Sequence, residues 1–198
     1  FALVVHPNVP AHSVKELIAL AKQRPGRLLF STSGAGGSAH LGAELLKMMA
    51  GIDFTVVHFR GGGLAMIDLL GNHSDASIGA LSQFLPHVNS GRLRLLATAG
   101  ARRSAMLPDV PTVAQTGLGQ VNVSMWFGVF APSGMSADQV ATFNRDINQI
   151  LTSEEVKTAF STQGMDPATA TPAEFARLVE RDAQKWARLV KSQGITAD

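Results

Sequence analysis

The segment Ser31-Thr32-Ser33-Gly34-Ala35-Gly36-Gly37-Ser38 decides the interpretation of this chain. The short apolar run Leu28-Leu29-Phe30 precedes it and predicts a buried strand. After it, apolar residues recur at helical spacing, at Leu41, Leu45, Met48 and Met49. The sequence therefore predicts a Gly/Ser-rich loop that joins the carboxyl end of a strand to the amino end of a helix. In open α/β sheets, ligands bind at such loops.

The chemistry of this loop favours an anion. The first turn of a helix has unpaired backbone N–H groups and carries partial positive charge, and glycines let a ligand approach the backbone closely. Because no lysine follows the glycines and no G-x-G-x-x-G spacing is present, a carboxylate is favoured over a polyphosphate. A tight strand-to-helix turn with Ser38 as its N-cap explains the same pattern. The local sequence leaves both interpretations open.

Composition excludes several classes of protein. The net charge of +2 over 198 residues is too small and too scattered for a nucleic-acid partner. The absence of cysteine rules out thiolate metal sites, and the six histidines form no H-x-x-x-H pair, so we expect no metal. No G-x-S-x-G motif occurs, and Ser38 and His40 lie too close in sequence to act as nucleophile and base. We therefore expect a protein that is not an enzyme and needs no cofactor.

Short strands alternate with helices along the first hundred residues. A strand is predicted over Phe1 to Val5, and a Ser-x-x-Glu capping box at Ser13 opens a helix through about Gln23. Further strands are predicted near residues 54–59, 76–78 and 93–97, with helices between them. This order indicates a mainly parallel, doubly wound sheet. A long strand is predicted from Val121 to Ala131, and the last third of the chain is predicted to be helical with three capping boxes.

Several segments, in this order along the chain, carry a resemblance to one family. They are Ser13-Val14-Lys15-Glu16-Leu17-Ile18, the Gly/Ser loop ending in His40-Leu41, Phe59-Arg60-Gly61-Gly62, Asp68-Leu69-Leu70-Gly71, Gly91 to Ala97, Leu107-Pro108-Asp109-Val110-Pro111-Thr112, and Trp126-Phe127-Gly128 with Ala131-Pro132. The chain resembles the Bug, or TctC-like, extracytoplasmic solute receptors of tripartite tricarboxylate transporters. The similarity covers nearly the whole chain.

The resemblance implies an α/β fold of the type II periplasmic binding protein class. Two lobes are joined by two crossover strands, and the first lobe is expected to be incomplete on its N-terminal side. Laid on that plan, residues 1–12 form a crossover strand and the edge of the first lobe. Residues 13–121 form a complete second lobe, and residues 122–198 form the return crossover and the C-terminal helices of the first lobe.

The resemblance also implies a small carboxylated ligand, held between strand-to-helix loops largely by backbone amides and waters. The implied ligand-binding residues are Ser31, Thr32, Ser33, Gly34, Ala35, Gly36, Gly37, Ser38, His40, Gly79 and Ala80. For His40, the alternative role is packing and hydrogen bonding within its own lobe, and this role is slightly favoured. Two departures from the family pattern matter. Phe59-Arg60-Gly61 stands where the family often has Tyr-Lys-Gly, and Gly79 stands where many members have an acidic residue. The missing acid weakens the case for an amino-acid ligand.

The function implied is a periplasmic receptor that captures a carboxylate for membrane transporter subunits. A signal peptide is expected upstream of Phe1. Because the first lobe is expected to lack partners, these 198 residues alone are expected either to self-associate through its remnant or to belong to a longer chain. The alternatives are the effector-binding domain of a transcription regulator with the same two-lobed fold, and a hydrolase with an unrecognised active site.

Overall fold

A five-stranded β-sheet organises the N-terminal part of the protein. The structure, a computed structural model, describes residues 1–100, 102–104, 107–118, 123 and 126–195. The strands are β1 (Ala2–Val5), β2 (Leu29–Thr32), β3 (Thr55–His58), β4 (Ala76–Gly79) and β5 (Arg94–Thr98). The helices are α1 (Val14–Gln23), α2 (Ser38–Ala50), α3 (Gly62–Leu70), α4 (Leu81–Asn89), α5 (Ala137–Leu151), α6 (Glu154–Thr162) and α7 (Pro172–Gln193), with a short 3₁₀ helix at Ala114–Thr116.

The strand order is β3-β2-β4-β1-β5. Strand β2 pairs in parallel with both β3 and β4, whereas β1 pairs antiparallel with both β4 and β5. Four strands therefore share one direction, as the predicted βαβ units require, and β1 alone runs against them. The mainly parallel sheet predicted from the sequence is thus a mixed sheet.

Helices cover both faces of this sheet. Leu3 of β1 pairs with Ile78 of β4, and Gly42 of α2 packs there so closely that a Cβ on Gly42 would lie 3.3 Å from Ile78 Cδ1. On the other face, Ala2 and Val4 form a buried cluster with residues of α3, α4 and the segment before β5, namely Leu69, Leu81, Phe84 and Leu93. Because successive strand residues point to opposite faces, α2 lies on one side and α3 and α4 lie on the other. The doubly wound arrangement follows.

Most of the predicted helix starts are found in the structure. The hydroxyl of Ser13 accepts from Glu16 N at 3.2 Å and opens α1. Ser136 and Gln139 form a complete capping box before α5, as do Thr171 and Glu174 before α7. The box predicted at Thr152 is wrong. Ser153 is the N-cap of α6 and accepts from Val156 N, one residue later than the pattern suggested.

The strand predicted over Val121 to Ala131 is not found at residues 126–131, which carry no strand pairing to any described residue. Residues 121, 122, 124 and 125 lie outside the described part of the chain. A strand needs a neighbour to satisfy its backbone groups, and alternation of apolar residues does not supply one. Instead, Gly128 packs directly against the ring of Phe175, which leaves no room for a Cβ at this position.

The chain divides into two compact units. The first comprises Phe1–Met125 and Leu189–Asp198, and the second comprises Trp126–Arg188. Strand β1 lies inside the sheet of the first unit, so residues 1–12 and residues 13–121, which the sequence analysis assigns to different lobes, contribute to one unit here. Within the described residues, no helix combines the length and apolarity that a membrane crossing requires.

The stacked rings of Phe30 and Phe54 anchor the core beneath the Gly/Ser loop. Their centroids lie 3.8 Å apart, and the two side chains are 0% and 1% exposed. We expect Phe30→Ala to lower the free energy of unfolding by about 3–5 kcal/mol, because it leaves a cavity in a closely packed site. The control Ile67→Ala removes a side chain that is 67% exposed and should change it by less than about 0.5 kcal/mol. Urea unfolding followed by circular dichroism measures both, and equal effects would contradict the packing described.

Candidate functional site

A cavity of about 290 Å³ lies at the sheet edge where the parallel strands β2, β3 and β4 end. Because β1 runs antiparallel, its first residue reaches the same edge. The residues that line the cavity are Phe1, Ser33, Ser38, Ala39, Gly62, Ala65, Met66, Ser77, Ile78, Gly79, Ala80, Gln83 and Phe84. All of them belong to the first unit. The site thus occupies the position where open α/β sheets bind ligands.

Three helices begin at this cavity, and none of them has a side-chain cap. The N-cap residues are Gly37 for α2, Gly61 for α3 and Ala80 for α4, and no side chain accepts a hydrogen bond from the first turn of any of the three. None of these first turns contains an acidic residue. Gln83 N donates to Ala80 O at 3.1 Å, and the other amides in these first turns have no acceptor among the described residues. The three positive dipole ends meet around one space.

The helices that begin elsewhere are built differently. Ser13, Ser136 and Ser153 cap α1, α5 and α6 through their side chains, and each of these helices has an acidic residue in its first turn. Relative to a good capping side chain, alanine at the N-cap, as at Ala80, costs about 0.5–2 kcal/mol, whereas glycine, as at Gly37 and Gly61, costs only a few tenths of a kcal/mol. The three starts at the cavity consequently resemble a binding site for an anion, because an anion would supply the missing acceptors.

Glycines at the loops allow this geometry. Gly34, Gly36 and Gly61 have φ values of +147°, +71° and +109°, which side-chain-bearing residues rarely adopt. The two loops are joined, since Gly61 N donates to Ser33 O at 3.2 Å. Gly37 has an ordinary φ of −73°, so its glycine is not required by backbone conformation.

The residues predicted to bind the ligand fall into three groups in the structure. Four of them line the cavity: Ser33, Ser38, Gly79 and Ala80. Four others, Gly34, Ala35, Gly36 and Gly37, form the turn beside it without lining it.

The remaining three predicted residues, Ser31, Thr32 and His40, are buried and hydrogen-bonded inside the first unit. Ser77 Oγ donates to Ser31 O at 2.8 Å and ties β4 to β2. Thr32 Oγ1 lies 2.7 Å from His58 Nδ1. Ser31 and Thr32 belong to the sheet and not to the loop, because β2 extends to Thr32, two residues beyond Phe30.

Ser38 is not the N-cap of α2. Gly37 occupies that position and has no side chain to accept a hydrogen bond, so Ser38 becomes the first helical residue. The N-cap role predicted for Ser38 is therefore wrong. The Ser38 side chain is exposed at the cavity instead.

His40 lies just behind the loop, with its ring facing away from the cavity. Its Nδ1 accepts from Gly36 N at 3.0 Å, and its ring contacts that of His58 edge-on with centroids 4.4 Å apart. Burial lowers the pKa of His40, and the nearby His58 lowers it further, while Glu44 opposes the shift and Lys47 adds to it. The neutral ring is thus favoured.

The part of the site that the helices α3 and α4 supply was not predicted from the sequence. Gly62 begins α3 at the cavity, and the amide of Gln83 lies only 3.0 Å from where a Gly62 Cβ would be. The run Gly61-Gly62-Gly63 directly after a strand was the available signal, because it repeats the pattern of the Gly/Ser loop. Gln83 and Phe84 gave no local signal.

Gly79 shapes one wall of the cavity. A Cβ at this position would lie 3.2 Å from Phe84 Cζ, so the glycine makes room for the phenyl ring. An acidic side chain at this position would have to displace that ring. Gly79 therefore gives the cavity an apolar wall at a position where many family members have an acidic residue.

The cavity is lined by both polar and apolar side chains, and none of the described side chains that line it is charged. Hydroxyl and amide groups come from Ser33, Ser38 and Gln83, and apolar surface comes from Met66, Ile78 and Phe84. Among the described residues, no cluster of three histidine, aspartate or glutamate side chains could hold a metal ion. The arrangement suits a small anion with an aliphatic body.

Two residues of the segments that carry the family resemblance lie outside the cavity. Arg60 is exposed and does not line the cavity. Trp126 belongs to the second unit, where its Nε1 donates to Asp182 Oδ2 at 2.8 Å and its ring contacts Phe175 edge-on. Trp126 therefore has a packing role in the structure.

A second cavity, of about 430 Å³, lies elsewhere on the first unit between Pro7, Val88 and Leu107. Its Arg94 donates to the backbone carbonyls of Pro7, Val9 and Ala11. That guanidinium is already engaged by the protein, and no helix start lines this cavity. The first cavity is the better candidate.

The chain is similar to known proteins of one family. The family model TctC, described as "Tripartite tricarboxylate transporter family receptor", matches residues 1–195. Protein BugT of Bordetella pertussis is 37% identical over 192 residues, which cover 97% of this chain and 59% of BugT.

Two solved structures of R. palustris proteins share the fold. Rpa4515 with adipate has a TM-score of 0.86 at 30% identity, and the match covers 100% of this chain and 66% of that one. MatC with bound malate has a TM-score of 0.78 at 26% identity, covering 96% of this chain and 65% of that one. The periplasmic-binding-protein fold expected from the sequence is thereby confirmed, and the chain spans about 59% of the length of its curated relative.

An acidic residue placed at the start of α2 tests the anion site. We expect Ser38→Asp to stabilise the protein by about 0.3–1 kcal/mol, because its carboxylate would meet the helix dipole. The same carboxylate should abolish binding of an anionic ligand, since it would occupy the positive end and repel the ligand. Thermal unfolding and calorimetric titration measure the two effects.

The matched control is Ala137→Asp, at the first helical position of α5 and outside the cavity. It should leave anion binding unchanged. Retained binding in Ser38→Asp would show that the ligand does not use this helix start.

Proposed function

The chain belongs to the TctC family of tripartite tricarboxylate transporter receptors, and we propose that it is a periplasmic receptor that captures a small carboxylated metabolite for a transporter of this type. The observation that carries the proposal is the convergence of the uncapped starts of α2, α3 and α4 on one cavity. Family membership supports the periplasmic location, because TctC receptors are periplasmic proteins.

A carboxylate fits this cavity better than other anions. In the part of the chain that the structure describes, no lysine or arginine side chain lines it. A polyphosphate would therefore leave several negative charges without a cationic side chain beside them. One carboxylate needs a few N–H donors, which three helix starts supply. The volume of about 290 Å³ is at the lower end for ligand cavities, and the apolar wall accommodates a short carbon chain. The adipate and malate in the two neighbours support this class of ligand.

The receptor function is favoured over the two alternatives. The TctC family is a family of receptors, not of enzymes, which argues against the hydrolase and against the regulator domain. The geometry adds a reason against hydrolysis: His40 Nδ1 is already engaged by Gly36 N. His40 therefore cannot act through this atom as the base for Ser38.

Partners follow from the same proposal. A receptor of this family delivers its ligand to membrane transporter subunits, and we propose that this protein does so. Self-association stays a prediction, and the exposed side chains of Phe127, Val129 and Phe130 in the second unit support it. Nucleic acid is not among the proposed partners, since the net charge is only +2.

Calorimetric titration with adipate, malate and adipamide tests the proposed function. We expect the dicarboxylates to bind, and the uncharged diamide to bind at least about tenfold more weakly, because hydrogen bonds to a charged group contribute roughly 1.5–3 kcal/mol. No turnover of an ester or amide substrate is expected. Equal binding of adipate and adipamide, or saturable ester hydrolysis that disappears in Ser38→Ala, would contradict the proposal.

A further inference from the structure

The Gly/Ser loop at residues 33–37 is held at two points. At its start, Ser33 O accepts the hydrogen bond from Gly61 N at 3.2 Å. In its middle, Gly36 N donates to His40 Nδ1 at 3.0 Å. Gly34 and Gly36 both have positive φ, and glycine restricts the backbone less than any other residue. The second hydrogen bond is therefore what fixes the middle of a loop that has little stiffness of its own.

The His40 ring is itself fixed by its surroundings. The residue is 9% exposed, and its ring packs edge-on against His58 of β3. The His58 ring is held in turn by Thr32 Oγ1, 2.7 Å from its Nδ1. On α2, Glu44 Oε1 lies 3.9 Å from His40 Nε2, and Lys47 Nζ lies 3.5 Å from the same carboxylate oxygen. The ring is thus oriented before any ligand arrives.

We propose that neutral His40 is a positioning residue for the carboxylate site: it holds the Gly36 amide and thereby keeps the Gly/Ser loop in the conformation that opens the α2 helix start to the ligand. This inference rests on the proposed function. His40 does not line the cavity, so its effect on the ligand passes through the loop. It replaces the direct ligand contact expected for His40 from the sequence.

Protonation of His40 would remove the support that its ring gives to the Gly36 amide. A neutral imidazole accepts a hydrogen bond at the nitrogen that lacks a proton, whereas imidazolium donates from both nitrogens. A proton on Nδ1 would face the Gly36 N–H, and the hydrogen bond would be lost. The groups that face His40 are His58, Glu44 and Lys47, and Lys47 also pairs with Asp53 at 3.5 Å.

The lowered pKa of His40 determines how stability and ligand affinity change with pH. Burial lowers the pKa of His40 below its ordinary value of 6.5. Below pH 6.5 the unfolded chain therefore binds more protons at this residue than the folded protein does. The stabilisation by neutral His40 is fully present above pH 6.5 and is lost as pH falls through the lowered pKa. Ligand affinity should decrease over the same range.

A ligand-free measurement tests the hydrogen bond directly. The Gly36 amide resonance of [¹⁵N]glycine-labelled protein is followed from pH 8 to pH 5. We expect a downfield-shifted proton that moves as His40 titrates. In His40→Asn, the side-chain oxygen supplies an acceptor that does not titrate, so the resonance should stay constant. A Gly36 proton resonance at pH 8 that is the same in the wild type and in His40→Leu, which lacks the acceptor, would overturn the inference, whether or not any carboxylate binds.

Affinity for adipate tests the consequence. As pH falls from 8 through the lowered pKa of His40, the wild type should lose about threefold to tenfold more affinity than His40→Asn, as one hydrogen bond would predict. The comparison with His40→Asn removes the titration of adipate itself. His40→Leu, which lacks the acceptor, should bind weakly throughout this range, and the control His12→Asn, at an exposed histidine, should behave as the wild type.

The outcomes separate the two proposals. If the wild type binds no carboxylate at pH 8, the proposed function fails, while the resonance of Gly36 still reports on His40. If the wild type and His40→Asn share one pH profile, the positioning role fails while the receptor function stands. Higher affinity of the wild type at pH 5 would show instead that the imidazolium attracts the ligand as a charge.

Discussion

The constraint on which the structure depends is the set of backbone amides that three helices leave without an acceptor. A helix start normally gains stability from a capping side chain, and the protein uses serines in this way at Ser13, Ser136 and Ser153. It forgoes them at Gly37, Gly61 and Ala80, all of which lie around one cavity. A bound acceptor can satisfy these amides in place of the water that otherwise hydrates them. The fold and the proposed ligand are therefore linked by the same hydrogen bonds.

The sheet topology brings those amides together. Strands β2, β3 and β4 run parallel, so the helices that follow them begin at one edge. The antiparallel β1 lies between β4 and β5 and is buried on both faces, which makes the support for this edge rigid. Gly79 then lets the ring of Phe84 close one wall. The polar donors and the apolar wall of the cavity thus come from different features of one sheet.

Local chemistry could be predicted from the sequence, and long-range pairing could not. The Gly/Ser loop, the helix behind it and the capping boxes at Ser136 and Thr171 depend on residues within a few positions of one another, and the structure contains them. The direction of β1 depends on strands more than seventy residues away. Sequence alternation also could not show that residues 126–131 lack a strand partner among the described residues.

The same distinction holds for the site. Ser33 and Ser38 were found from the loop that contains them, whereas Gln83 and Phe84 come from another helix and carry no local signal. Ser31 and Thr32 share the composition of the loop but lie inside the sheet, because strand pairing continues as far as Thr32. His40 lies in the first turn of α2 beside the ligand-facing residues, yet its ring points back to Gly36 and His58. The direction of a side chain is a tertiary property that spacing alone does not determine.

In the proposed receptor, backbone amides hold the ligand and no charged side chain does. A crystal structure of the protein with adipate would show these contacts. We expect a carboxylate group in the cavity, with its oxygens about 2.7–3.2 Å from amide nitrogens in the first turns of α2, α3 or α4, such as those of Ser38, Ala39 and Gly62. A carboxylate bound through Arg60, Lys47 or Arg94 outside this cavity would contradict this expectation.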